Sequence, residues 1–409
     1  LLDKVKEKIV EGIEVEGFIR SRDQIKHREA QAKTKKLLNR EYPNIEFPDE
    51  VYYVLDSDDL WDEPHYDTDD CTEIALKPRD NLGDFFDLLQ KNLITVFDLS
   101  NKKDWFYMLL AKNPTCSYGG GHTHVSVKGM SGDRSVDLVK DKLYPFQPFI
   151  SLIGQNTSYD EVTLRRDYPY ISYQKIKEER KDTRIKNING GVSFKDSEDG
   201  RLSQDYDKGT LEVRFPSVSS IYQSLGVATF IKACIFQDGN KFQESNYDYI
   251  LANLCARVAK YGVNANVGIK LPFKISLRNK DTSSITLSMS KVFSFLLKSY
   301  PFCEGLERAY KELDSKEREI TKDFFSIFGK GYSMTDFYDT ALRGFGKLDF
   351  ISQCNKIHSL GEQEVFKETP IIHKIIPKPK KIIEDTDPTS YIDSRLFNIT
   401  DEILHEVID

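Results

Sequence analysis

Three short stretches of this chain carry ionisable residues two positions apart. They are Glu14 and Glu16 in Gly12-Ile13-Glu14-Val15-Glu16-Gly17, His122 and His124 in Gly120-Gly121-His122-Thr123-His124-Val125, and Glu212 and Arg214 in Leu211-Glu212-Val213-Arg214-Phe215. A β-strand alternates faces with a period of two, so each pair shares one face and its mostly apolar neighbours take the other. A fourth stretch, Thr72 to Leu76, is stopped by Pro78 and sets Glu73 on the face opposite Thr72, Ile74 and Leu76. Taken alone, the Glu14–Glu16 segment also reads as a solvated antiparallel strand, and His122 and His124 as a pair hydrogen-bonded inside a sheet. Together they predict an α+β fold in which a curved, mostly antiparallel sheet gathers carboxylates and imidazoles on one concave face.

The rest of the chain fits helices packed outside such a sheet. Residues 1 to 10 read as a short charged helix, and residues 20 to 50 as a strongly charged stretch, helical up to Tyr42-Pro43, that forms either a solvated helix or a basic face recruiting substrate. Val51 to Leu55 and Trp105 to Leu110 read as strands, and Asn81 to Leu93 as an amphipathic helix. The acidic loop Trp61 to Asp70 lacks the glycine and ligand spacing of a calcium hand and reads as a solvated rim. Val139 to Ile153 reads as a buried segment, helical in part and interrupted by Pro145 and Pro148. Residues 160 to 209 are loop-rich and cationic.

From Ser217 the pattern turns helical, with amphipathic helices expected over 221–236, 247–261, 288–297, 303–313, 316–328 and 334–342. A loop and strand are expected over 263–277. Residues 361–390 form an extended, basic, proline-interrupted arm, and Ile392 to Ile408 an acidic terminal helix. The expected organisation is a catalytic sheet domain over 1–220, a helical region over 221–360 packed on it, and the arm with its terminal helix over 361–409. That last part is either an assembly or homo-oligomer contact or a tail docked on the body.

Composition narrows the function classes. The 409 residues include 58 basic and 65 acidic side chains and a formal net charge of −7, which argues against a general nucleic-acid binder. Nucleic acid remains only as a modified substrate. Six scattered cysteines form no Cys-x-x-Cys pair, so reduced thiols and a cytoplasmic location are expected. No apolar run reaches the roughly 18 residues of a membrane span, and no membrane partner is expected. The first residue is Leu1 rather than Met, which reads as a trimmed N-terminus.

A cluster rich in carboxylates with one or two imidazoles suits hard divalent cations, Mg²⁺ or Mn²⁺, which take oxygen ligands and share them with phosphates. The order Gly-x-Glu-x-Glu, a later strand glutamate before proline, a relaxed Gly-x-His-x-His and x-x-Glu-x-Arg resembles the glutamine synthetase-type carboxylate–amine ligase superfamily. Its glutamate–cysteine ligase-like and amidoligase branches are the most similar. The resemblance covers about residues 11–220. It implies Glu14, Glu16, Glu73, His122 and Glu212 as metal ligands, and His124 and Arg214 as groups at the phosphates of ATP. It further implies catalytic roles for Arg214, His124 and Glu73, with Arg165, Arg166 or Arg184 completing a phosphate clamp. The implied substrates are a carboxylate and an amine, on small molecules or on protein side chains.

Two other functions fit part of the pattern. His122 and His124 alone suit a zinc-dependent hydrolase, although zinc sites prefer His and Cys and would leave the glutamates unused. A non-enzymatic assembly protein retaining a ligase-like fold would account for the basic arm.

Overall fold

The computed structural model describes residues 9–21, 51–56, 71–76, 81–84, 86–87, 89, 105–108, 121–127, 138–154, 192–195, 210–213, 221–237, 247–277, 280–331 and 391–393. The charged segment 22–50, the acidic loop Trp61 to Asp70, the helix expected over 334–342 and the basic arm 361–390 lie outside these residues. Seven described strands form one antiparallel sheet: β1 (Ile9–Ser21), β2 (Val51–Asp56), β3 (Cys71–Leu76), β4 (Trp105–Met108), β5 (Gly121–Val127), β6 (Val192–Lys195) and β7 (Thr210–Val213). Their order is β2-β3-β1-β5-β7-β6, with β4 joining the far end of β1. The mixed α+β class expected from the sequence is therefore present.

Strand β1 is the organising element. It pairs with β3 along one edge and with β5 and then β4 along the other, and it starts at Ile9, earlier than the sequence reading placed it. The helix expected over 1–10 is thus replaced at Ile9 and Val10 by strand, and Arg20 and Ser21 belong to the strand rather than to a charged helix. The apolar back of the sheet is set by alternation. Ile9, Val125, Leu211 and Val213 are buried, and helix α2 (Ile221–Phe236) packs against both β1 and β5.

Helix α2 is the axle of the helical layer. Its sequence reads as amphipathic, yet every residue from Gln223 to Cys234 is buried. A helix covered on all sides must partner its polar residues internally. Gln223 Nε2 donates to the Ile153 carbonyl at 3.0 Å, and Thr229 Oγ1 donates to the Leu225 carbonyl at 2.7 Å. Phe230 lies at the centre of an aromatic core, with ring centroids 4.8 Å from Phe302 and 6.0 Å from Phe293.

The other helices surround this axle. Residues 139–146 make two short helical turns, and α1 (Gln147–Gly154) follows, so Pro145 and Pro148 open helical turns rather than interrupt one. Beyond α2 come α3 (Tyr247–Tyr261), α4 (Met289–Lys298), α5 (Phe302–Tyr310) and α6 (Ser315–Gly329). Among the described residues, no helix is long and apolar enough to cross a membrane.

Helices α2 and α5 cross closely at Gly305, where a Cβ would meet the Ala233 carbonyl and sit 2.9 Å from the Gln237 nitrogen. Backbone cannot move aside as a side chain tip can. Gly305→Ala is expected to lower stability by about 1–3 kcal/mol through overpacking, read as a lower urea midpoint with unchanged slope.

A second sheet lies in the C-terminal half, ordered β10-β8-β9 from β8 (Asn266–Leu277), β9 (Lys280–Ser288) and β10 (Tyr391–Asp393). Strand β9 was not expected from the sequence. The terminal helix expected from Ile392 is instead strand at Ile392 and Asp393, paired in parallel with β8 at Ile269 and Lys270. At these residues the chain's end lies on its own body.

Candidate metal and nucleotide site

Residues directly opposite one another in an antiparallel pair share a face. The register places Glu16 opposite Glu73, Glu14 opposite His122, and His124 opposite Glu212. Six residues expected at the site therefore occupy one face of three adjacent strand pairs. Gly12 lies opposite His124 on the same face, and Ser193 of β6 lies opposite Glu212.

This face is not solvated where its side chains are described. His122 and Glu212 are each 2% exposed, His124 is 8% and Ser126 is 6%. His122 Nδ1 lies 3.2 Å from Glu212 Oε1. The two are diagonal rather than direct neighbours across β5 and β7, a spacing that a glutamate is long enough to bridge. An imidazole that meets a carboxylate through Nδ1 is fixed in rotation and presents Nε2 as its ligating nitrogen.

The donor chemistry fits a hard divalent cation. The register sets Glu16 opposite Glu73, and two carboxylates at opposed positions are unfavourable unless a cation or solvent compensates. Among the described residues, no group of three or more His, Cys, Asp or Glu side chains gathers as a metal-holding cluster. The side chains of Glu14, Glu16 and Glu73 lie outside the described residues, as do Arg165, Arg166, Arg184 and Arg214.

Behind this face lies a charged group that pattern reading did not single out. Glu11 occupies the opposite face of β1, 1% exposed, with its Oε2 3.9 Å from Lys232 Nζ of α2. Lys232 is fully buried and donates to Glu312 Oε2 at 2.5 Å, in the connection between α5 and α6. Burial pushes the Glu11 carboxyl up to about 8; Lys232 opposes that rise and Glu312 adds to it. Glu312 Oε2 also accepts the Leu82 N–H at 3.3 Å, which ties the start of the 82–89 helical stretch to the same point. The sequence signal was available in Glu11 itself, an acid at an apolar-phase position of a strand.

A further acid, Glu317, closes a reciprocal cap at the start of α6. Asp314 N–H donates to Glu317 Oε2 at 2.9 Å, and Glu317 N–H donates to Asp314 Oδ1 at 2.7 Å. Burial raises the Glu317 carboxyl above its ordinary range, and Asp314, Asp87 and Asp84 add to that rise.

No protein-family model and no curated protein matches the chain. Solved structures similar to it include the complex between the prokaryotic ubiquitin-like protein Pup and its ligase PafA, with a TM-score of 0.43 and 11% identity over 98% of this chain and 80% of that one. Glutamate–cysteine ligase from Francisella tularensis in complex with AMP is similar at a TM-score of 0.46 and 11% identity, over 91% of this chain and 96% of that one. A glutamine synthase homolog is similar at 0.40 and 9% identity, over 78% and 67% of the two chains.

Proposed function

We propose that the chain is an ATP-dependent carboxylate–amine ligase that forms an amide or isopeptide bond through an acyl phosphate. The observation that carries this reading is the register that sets Glu16 against Glu73, Glu14 against His122 and His124 against Glu212 on one sheet face. Opposed acids on neighbouring strands are costly without a cation, and an oxygen-rich donor set with a nitrogen minority suits Mg²⁺ or Mn²⁺.

In this proposal Glu14, Glu16, Glu73, His122 and Glu212 hold the metal, whose charge neutralises the phosphates of ATP. His124 and Arg214 contact the phosphates, aided by one of Arg165, Arg166 and Arg184. A carboxylate oxygen of the first substrate attacks the γ-phosphorus, and ADP leaves. The amine nitrogen of the second substrate then attacks the acyl carbon, inorganic phosphate leaves, and the nitrogen loses a proton. The residues act by positioning and by charge, which is most of what phosphoryl transfer asks of a protein. The first substrate is an acid and the second an amine, each on a small molecule or a protein side chain.

The reading is tested by screening acids paired with amines for ADP release in the presence of Mg²⁺ or Mn²⁺. Release that needs both substrates and the metal is expected. Metal analysis after mild chelation is the complementary measurement, and tightly held stoichiometric zinc would sink the ligase reading in favour of a hydrolase built on His122 and His124.

A further inference from the structure

We propose that Lys232 is a positioning residue for the candidate site, a buried cation that reaches through the back of the sheet to Glu11 and holds β1 in place for the residues on its front. The proposal rests on the metal reading of that front face. Strand β1 supplies two of the five expected ligands, Glu14 and Glu16, and pairs with both other strands that carry metal-facing positions opposite it, β3 and β5. Its placement therefore sets the Glu16–Glu73 and Glu14–His122 pairs together.

The geometry behind the strand supplies a fixing point. Glu11 lies three residues before Glu14, about 10 Å along the strand, on the opposite face. Among the described residues, neither of its carboxylate oxygens has a hydrogen-bond partner, and Lys232 Nζ is 3.9 Å away. Lys232 is anchored on its other side by Glu312 at 2.5 Å, and Glu312 also receives the Leu82 N–H. Three elements of the helical layer thus meet at Glu312 Oε2, and the lysine that donates to it lies 3.9 Å from Glu11 on the sheet.

An apolar core residue would pack α2 on the sheet at lower desolvation cost, because a buried charge is stabilising only where its partners are well placed. What the buried ammonium adds, beside a carboxyl that burial keeps largely protonated at neutral pH, is a fixed polar point on the helical layer. Apolar packing fixes the spacing of α2 and β1 but favours no polar group, whereas a lysine held by Glu312 sets its ammonium beside Glu11. Partners bonded directly to a metal ligand are worth about 10–100-fold in metal affinity, and Lys232 and Glu11 act one step further out, through the placement of β1, so the lower end of that range is expected.

The test is a Mn²⁺ titration of the full chain, followed by spin resonance of free Mn²⁺, at one near-neutral pH for wild type, Lys232→Met, Glu11→Leu and Glu11→Gln. Glu11→Leu keeps the Lys232–Glu312 pair and removes only the contact to the sheet, and its Kd is expected to rise about tenfold. Glu11→Gln keeps a carbonyl acceptor for Lys232 and is expected to stay within about twofold of wild type, on the same scale. Lys232→Met is expected to match Glu11→Leu; should it fail to fold, Glu11→Leu alone decides. A folded Glu11→Leu with wild-type Mn²⁺ affinity overturns the positioning role while leaving the metal site intact. A wild-type chain that binds no Mn²⁺ overturns both.

Discussion

Glu212→Gln is expected to cut ADP release by on the order of 10³-fold while leaving the fold in place. Glu212 is buried on the front of β7 with its Oε1 3.2 Å from His122 Nδ1, so it touches an expected ligand as well as serving as one. Glutamine has nearly the same volume, so the strand packing is kept, but the substitution removes a full charge from a site that depends on charge. It also offers an N–H where the imidazole Nδ1 met an acceptor, which favours the wrong tautomer or rotation of His122. Mn²⁺ affinity should fall in parallel, and far-ultraviolet circular dichroism should not change. Undiminished turnover in this variant would remove Glu212 from the site.

Glu11→Gln is expected to change how stability depends on pH, with an effect on the order of a few kcal/mol at alkaline pH. Burial holds the Glu11 carboxyl near 8 in the folded chain, against an ordinary value of 4.5. The folded state therefore grips this proton more tightly than the unfolded state does. The stabilisation is fully present below about 4.5, declines as pH rises, and is lost as pH passes through about 8. Glutamine mimics the protonated acid and cannot ionise. Urea midpoints of wild type and variant should nearly coincide at about pH 4 and separate by about pH 9, with the variant the more stable. Parallel profiles across that range would show that Glu11 does not carry the proton linkage.

Strands β1 and β5 are legible because each carries two ionisable residues at i, i+2 spacing with apolar neighbours, and β3 because Glu73 interrupts an otherwise uncharged run before Pro78. Period alone sets Glu14 with Glu16, and His122 with His124, on one face of their own strands. Gathering them with Glu73 and Glu212 is an expectation from sheet packing and the family resemblance, and the register places Glu16 opposite Glu73, Glu14 opposite His122 and His124 opposite Glu212. Strands without that contrast were missed. Val192–Lys195 is four residues long inside a cationic stretch, too short for alternation to register. Lys280–Ser288 is mostly serine, threonine and charge, so it resembles a loop until β8 pairs with it.

Helix α2 misled in the opposite direction. Gln223, Ser224, Thr229 and Lys232 look like the polar side of an amphipathic helix, yet all four are buried, because carbonyls of Ile153 and Leu225 and the carboxylate of Glu312 receive three of them. Those partners come from distant elements or from the helix's own turn. Periodicity counts polar residues but does not say what meets them.

The short parallel pairing of Tyr391–Asp393 with β8 has a kinetic consequence. Its partner lies far back in the chain, so the closure entropy of a long loop must be met before three residues' worth of ladder can form. Such a contact gains little until β8 and β9 are already joined. It is expected to belong to the last cooperative unit to assemble and the first to open, a seam whose amide protons exchange before those of the helices around Phe230.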